Sequence, residues 1–300
     1  MTMRQFMWIG LLALALLGLT ACNSEIGTDP AQSEQTAEET AGGREESVPQ
    51  AQTEYIGPVP EAYFAPADHP GQVVEIPYDS RDYTDPAEPA IRKTAFVYLP
   101  DGYDEADRET RYDILYLMHG WTMTAGDFFD PTQSGIVLML DHMIENGDIP
   151  PVIVVCATFD AENQPQDFSR SVAELSVFHR DLREHLIPAV ESRYHTYAED
   201  VTEAGLRASR EHRAFGGFSL GAVTTWYQFI YNLDVIRDFL PMSGDCWIMG
   251  TYGGRYYPVE TVDCLEQVVA DGGWDGDDFS IYQGIGTSDP IWDQTDSQIQ

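Results

Sequence analysis

Phe215-Gly216-Gly217-Phe218-Ser219-Leu220-Gly221-Ala222 sets a Gly-x-Ser-x-Gly pentapeptide between an apolar run and a helix-like one. A serine in that setting sits on a sharp strand-to-helix turn, a nucleophile elbow that lifts its hydroxyl clear of the top of a sheet. Gly217 and Gly221 fall where a β-carbon would run into the neighbouring strand and helix, so glycine is the residue that fits. Glycines and serines also build ordinary turns, and the flanking sequence has to decide between the two. Before the serine, residues 213–218 read as a short buried strand. After it, residues 222–232 read as a helix in which Trp226, Phe229 and Ile230, at i, i+3 and i+4, form one apolar face.

Upstream, Tyr112 to Met118 is a hydrophobic strand that runs into His119-Gly120-Trp121. In hydrolases built on an elbow, one oxyanion donor is the backbone N–H of the residue after the nucleophile and another comes from the loop after an early strand. Leu220 and Trp121 are the expected donors, with Gly120 next in line. His119, beside a glycine turn, is expected to brace that loop rather than to move protons.

Other apolar runs suited to strands lie at 73–76, 94–99, 114–118, 152–156, 239–242 and 280–282. Helical spacing alternates with the later ones, over 135–146 and over 171–194, the latter carrying Leu175, Phe178, Leu182, Leu186, Ile187 and Val190. Strands alternating with helices predict a mostly parallel central sheet covered by helices on both faces. The early pair around Val73 and Phe96 has no helix between its members and predicts an antiparallel hairpin at one edge. That layout is an α/β-hydrolase fold.

The order in this fold is nucleophile, acid, histidine. Asp289, in Gly284-Ile285-Gly286-Thr287-Ser288-Asp289 after a late strand, is the expected acid, with Asp245 in reserve. No histidine follows either one: His212 comes last and is expected to orient the entry to the nucleophile strand, while His179 and His185 take surface or capping places on the long helix. Two explanations stand. In the preferred one the C-terminal part of the fold is missing, so that this chain by itself is inactive for want of its base. In the other, the pocket binds a ligand without turnover.

The amino terminus has Arg4, an apolar stretch from Phe6 to Leu19, and Leu19-Thr20-Ala21-Cys22. This predicts a lipoprotein signal peptide over 1–21, with Cys22 as the lipidated first residue of an exported protein anchored at the outer face of a bacterial cell membrane. Residues 22–54 are too poor in large apolar side chains to fold and predict a polar tether. Residues 55–300 are long enough for one catalytic domain.

Net charge is −34, and Lys93 is the lone lysine. Such a surface repels polyanions, which excludes nucleic-acid partners and leaves contact with the bilayer to the Cys22 lipid. Cys156 lies in an apolar run and is expected in the core, whereas Cys246 and Cys264 are left open between free thiols and a disulfide. The acidic stretch 271–278 lacks the ligand spacing of a calcium loop and is expected to be a solvated turn. No metal and no cofactor is expected.

With these residues in place, the chain resembles the esterase D-like α/β-hydrolases, specifically the feruloyl and acetylxylan esterases of carbohydrate esterase family 1. The resemblance runs from about Val73 to Asp289 and is carried by Val97-Tyr98-Leu99-Pro100-Asp101-Gly102-Tyr103, Leu115 to Gly120, Glu211-His212-Arg213-Ala214, the elbow, and Gly286 to Asp289. It implies Ser219 as nucleophile, Asp289 as acid, and Leu220 with the residue after Gly120 as oxyanion donors. The implied substrate is a feruloyl or acetyl ester on plant cell-wall polysaccharide. Siderophore esters, thioesters and acyl transfer to a sugar remain as other ester chemistries, and a sugar-binding surface protein as the non-enzymatic one. The family's Gly-His loop near a tryptophan has no counterpart here, and Trp121-Thr122-Met123 stands where the family often has a glycine run. Trp121, Trp247 and Tyr252 are the expected aromatic walls.

Overall fold

The computed structural model describes residues 59–299 apart from 131, 133 and 287. The expected signal peptide, Cys22 and tether lie outside the described residues. The strands are β1 (Gln72–Arg81), β2 (Ala90–Leu99), β3 (Asp113–Met118), β4 (Val152–Ala157), β5 (Arg213–Phe218), β6 (Asp238–Met242) and β7 (Ser280–Ile281). They form one sheet in the order β1-β2-β4-β3-β5-β6-β7. β1 and β2 are the expected hairpin, antiparallel from Gln72 opposite Leu99 to Arg81 opposite Ala90, and β2 is also antiparallel to β4. All pairs from β4 to β7 are parallel.

Residue alternation explains where each strand can sit. In β1, Ile76, Tyr78 and Ser80 are buried while Glu75, Pro77 and Asp79 are exposed, the signature of an edge strand with one wet face. Every residue of β4 is buried, as a strand covered on both faces requires. Ile114, Tyr116 and Met118 of β3 pack on one side with Leu175, Phe178 and Phe229, while Leu115 and Leu117 pack on the other with Met139, Leu140 and Met143. The first side is covered by α2 (Phe168–Asp181) and α5 (Leu220–Asn232), the second by α1 (Ile136–Glu145).

The helix expected over 171–194 is interrupted. α2 starts at Phe168, because the Asp167 carboxylate accepts from the N–H groups of Ser169 and Arg170. It ends at Asp181, followed by a π turn over Leu182–Leu186 and then α3 (Ile187–Glu191). Pro188 supplies the reason: in a regular α-helix its ring would meet the carbonyl of Glu184, and it has no N–H to donate. The π turn follows the point where Asp181 is clamped by Lys93 Nζ at 2.8 Å, Ser80 Oγ at 2.6 Å and Tyr78 Oη at 3.1 Å, all buried.

α4 (Glu203–Ala208), α6 (Gly253–Tyr256), α7 (Pro258–Gly272) and α8 (Trp292–Ile299) complete the α-helices of the described residues. α7 escaped the periodicity reading because Thr261 is its one buried residue. It takes in Asp271 and Gly272 and stops at Gly273, which has φ +68°. The rest of the acidic stretch is a turn whose carboxylates bond their own backbone, Asp278 accepting from Asp275 N–H and Asp275 from Asp277 N–H, each at 2.9 Å. Among the described residues, no group of three or more acids, histidines or cysteines is placed to hold a metal. Cys156 is buried in β4, and Cys246 and Cys264 are free thiols; burial pushes the Cys246 thiol up to about 12.

Candidate active site

The strand order reverses between β3 and β5, since the chain leaves β3 toward β4 on one side and leaves β5 toward β6 on the other. The crevice at the carboxyl ends of strands at such a switch point is where α/β sheets bind ligands. Ser219 occupies that place. It has φ 58° and ψ −116°, a strained conformation for a residue with a β-carbon, of a kind that costs roughly 1–3 kcal/mol and persists when its surroundings enforce it. Here they do. Ser219 N–H donates to Met242 O at 3.0 Å, and Ser219 O accepts from Ala222 and Val223 at 2.9 and 3.2 Å. A β-carbon on Gly217 would lie 2.4 Å from Gly221 O, and one on Gly221 would lie 2.1 Å from Met118 O.

The loop after β3 meets the elbow directly. A β-carbon on Gly120 would lie 3.2 Å from Ser219 Cβ, so the Gly120-Trp121 backbone passes over the serine side chain. Leu220 is the first residue of α5, and its N–H is one of those that a helix leaves without an internal partner at its positive end. The two expected oxyanion donors, Leu220 and Trp121, thus flank Ser219. The Trp121 side chain lies half in solvent, its indole N–H donating to Gln166 O at 3.0 Å.

From Trp121 an aromatic row runs along this edge. Trp121 meets Phe168 edge-on at 5.3 Å between centroids, Phe168 meets Trp247 at 6.2 Å, Trp247 meets Tyr252 at 5.0 Å, and Tyr252 meets Tyr256 at 6.3 Å. Trp121, Trp247 and Tyr252 are the walls expected from sequence, and the structure brings them together through Phe168. Sequence reasoning missed Phe168. Its signal was its place directly after the helix-capping Asp167.

Asp289 leaves the same edge on the far side of β6. Gly284, just past β7, donates to Pro241 O at 3.0 Å and accepts from Ser243 N–H at 2.8 Å, tying the acid's loop to the strand that holds Ser219 N–H. One Asp289 carboxylate oxygen accepts from Ile291 N–H at 2.9 Å, and no hydrogen bond joins it to Ser219. Asp245, the reserve acid, is engaged elsewhere. It is buried, and its two oxygens accept from Trp247 Nε1 at 2.7 Å and Arg255 N–H at 3.2 Å. Burial raises its carboxyl above the usual range.

Among the described residues, no hydrogen bond joins a histidine to Ser219. His119 is at this edge, but its Nδ1 lies 2.8 Å from Gly120 O and its Nε2 2.7 Å from Thr158 Oγ1. His212 precedes the six-residue β5, and at roughly 3.3 Å per residue that puts it about 20 Å from the elbow. There it lies 2.7 Å from Asp113 Oδ1 and stacks on Tyr197. His179 stacks on Tyr231, and burial lowers it to about 4; His185 pairs with Tyr83 Oη at 2.8 Å.

The sequence family described as "Putative esterase" matches residues 89–247, just over half of the 300-residue chain. The chain belongs to this esterase family. The feruloyl esterase module from Clostridium thermocellum, as a serine-to-alanine mutant complexed with sinapinate, matches with a TM-score of 0.69 at 31% identity, covering 84% of this chain and 80% of that one. A structure of a protein called FAE gives a TM-score of 0.70, also at 31% identity. The esterase is thus of the carbohydrate esterase family 1, feruloyl esterase type, and its fold is that of the α/β-hydrolases. It spans about a fifth of the length of the curated relatives it matches. Endo-1,4-beta-xylanase Y of Acetivibrio thermocellus is 33% identical over 243 residues, 81% of this chain and 20% of that protein. Endo-1,4-beta-xylanase/feruloyl esterase of Xylanibacter ruminicola is 32% identical over 173 residues, 57% and 21% respectively.

Proposed function

We propose that this esterase removes aromatic acyl groups from plant cell-wall xylan through an acyl-enzyme at Ser219. The observation that carries the reading is Ser219 itself, held at φ 58° at the switch point with the Gly120 backbone packed against its β-carbon. Attack on an ester carbonyl would create an oxyanion beside the N–H groups of Leu220 and Trp121, and water would then release the acid. The mechanism requires a histidine after the acid to take the serine proton, with Asp289 orienting it. The names of the xylanase and feruloyl esterase relatives support xylan. The row from Trp121 through Phe168 to Trp247 supports an aromatic acyl group over acetyl, because ring edges and faces gain from an aromatic partner.

The test is release of ferulate and of acetate from feruloylated and acetylated xylo-oligosaccharides by the natural gene product and by its Ser219→Ala variant. Ferulate release that vanishes in the variant supports the reading; equal release by both proteins overturns it. The same aromatic row suits one competing reading, a surface protein that binds sugar without turnover. Absence of release, with sugar binding unchanged by Ser219→Ala, would establish that one instead.

The residues 1–22 support a second proposal, that the protein is exported and tethered to the membrane by lipid on Cys22. Cys22→Ala should move it from the membrane fraction to the soluble one. Retention of the variant in the membrane fraction would rule out this anchor.

A further inference from the structure

We propose that His119, Thr158 and Asp160 form a relay of positioning residues that aims the Trp121 N–H at the oxyanion. The relay rests on the reading of Ser219 as nucleophile, and concerns how the second oxyanion donor is held. Met118 and Ala157 are paired at the ends of the parallel strands β3 and β4, so His119 and Thr158 leave the sheet side by side. His119, Thr158 and Asp160 are each 1% exposed.

Hydrogen-bond chemistry gives the relay a direction. Gly120 O can only accept, so the His119 Nδ1 at 2.8 Å carries the proton. In a neutral ring the other nitrogen is then an acceptor, and Thr158 Oγ1 at 2.7 Å donates to it. Burial favours that neutral ring, pulling His119 down to about 4. Thr158 is oriented in turn by the Asp160 N–H, which donates to its Oγ1 at 3.1 Å; Asp160 Oδ2, at 3.2 Å, is the other acceptor within reach of the one hydroxyl proton, which the shorter contact to His119 Nε2 favours. Ser171 Oγ, from α2, donates to Asp160 Oδ1 at 3.4 Å.

The consequence for the oxyanion site follows from peptide geometry. In a trans peptide the C=O and the next N–H point in opposite directions. Gly120 O is held on the buried side by His119, with Met123 N–H donating to it at 3.3 Å, so the Trp121 N–H is turned the other way. A histidine that merely filled space would leave this peptide held by the longer Met123 bond alone. A donor that points a few tens of degrees away loses much of its bond, since hydrogen bonds weaken steeply off axis.

Thr158→Val keeps the shape of the side chain and removes the donor, so it isolates the relay from packing. In the natural gene product it should lower kcat by about 10- to 100-fold, short of or equal to the loss of a whole oxyanion donor, with KM changed less than about twofold. Thr158→Ser should restore both. Nitrogen-15 NMR of the imidazole should find the His119 proton on Nδ1 in the parent protein and lose that single tautomer in Thr158→Val, and the Trp121 amide resonance should move with it. An Nε2-protonated His119 in the parent, or an unmoved Trp121 amide in a folded Thr158→Val, would overturn the relay. These two readouts need no turnover. Retained activity in Ser219→Ala would instead count against the nucleophile, leaving the relay to be judged by the NMR signals.

Discussion

Ser219 and Gly120 come from elements about a hundred residues apart, yet a β-carbon on Gly120 would lie 3.2 Å from the β-carbon of Ser219 and 3.4 Å from Phe218 O. That spacing is tighter than ordinary contact, and one of the neighbours would have to give by a few tenths of an ångström. Gly120→Ala is therefore expected to displace the oxyanion loop while leaving the core intact. Turnover of a feruloyl ester should fall by about 10- to 1000-fold with the melting temperature nearly unchanged. Unchanged kcat would mean that the loop can shift without consequence.

Gly221→Ala should cost stability as well as turnover. Its β-carbon would lie 2.1 Å from Met118 O, a backbone atom at the carboxyl end of β3, a strand paired on both sides. The start of α5 would be pushed off β3, at a cost of roughly 1–3 kcal/mol typical of overpacking. Urea unfolding should show a lower midpoint than for Gly120→Ala.

At the opposite end of β5, Arg213 and Glu191 form a buried bidentate pair, Nε to Oε1 and Nη2 to Oε2 both at 2.7 Å. Tyr116 Oη and Thr196 Oγ1 also donate to Glu191, while Arg213 reaches Leu206 O and Ser209 Oγ. Arg213→Met strands a buried carboxylate and should cost about 3–5 kcal/mol. The double change with Glu191→Met should recover part of that loss, measured as a double-mutant cycle in urea. Full additivity would show that the pair is not coupled.

Buried carboxyls and buried histidines pull the stability of this protein in opposite directions as pH falls. Burial pushes Asp238 up to about 6, and burial with the nearby Glu174 does the same for Asp160. A carboxyl raised in the folded state takes up a proton there before the unfolded chain does. Its destabilising effect is absent below the unfolded pKa near 4, grows as pH climbs through the window from about 4 to about 6, and is complete above it. His119 and His179, each lowered by burial to about 4, oppose this: below about 6.5 the unfolded chain takes up protons that the folded rings do not, which favours unfolding as pH falls. Asp238→Asn removes one carboxyl penalty without touching the histidines, so its gain in melting temperature over the parent should be larger at pH 7.5 than at pH 5. A gain from Asp238→Asn that is equal at the two pH values, or larger at pH 5, would contradict this.

The strands were legible because each is a short apolar run bounded by turn residues, and the elbow because glycine at 217 and 221 is dictated by backbone proximity alone. Leu220 and Trp121 followed from their places next to Ser219 and Gly120. What escaped was decided by contacts between distant segments. Asp245 and Asp289 both follow strands at the same edge, and nothing local tells an acid that Trp247 and Arg255 have already engaged from one that they have not. The partners of His119 lie after β4, a strand that becomes its neighbour only when the sheet assembles. Residues 258–272 show little apolar periodicity because that helix buries so little, and the π turn before Pro188 replaced an α-helix whose apolar pattern was otherwise unbroken.

The clamp on Asp181 encloses Lys93, whose side chain is 3% exposed and which is the chain's sole lysine. Residues 59–299 therefore present no side-chain amine to their surroundings. Reagents that acylate amines or form imines will pass over their surface, and trypsin will find cleavage sites at arginines alone until the sheet edge opens. Labelling or immobilising this protein calls for its abundant carboxylates. Sudden reactivity of Lys93 toward an amine reagent would signal that β1 and β2 have come away from the helix beside them.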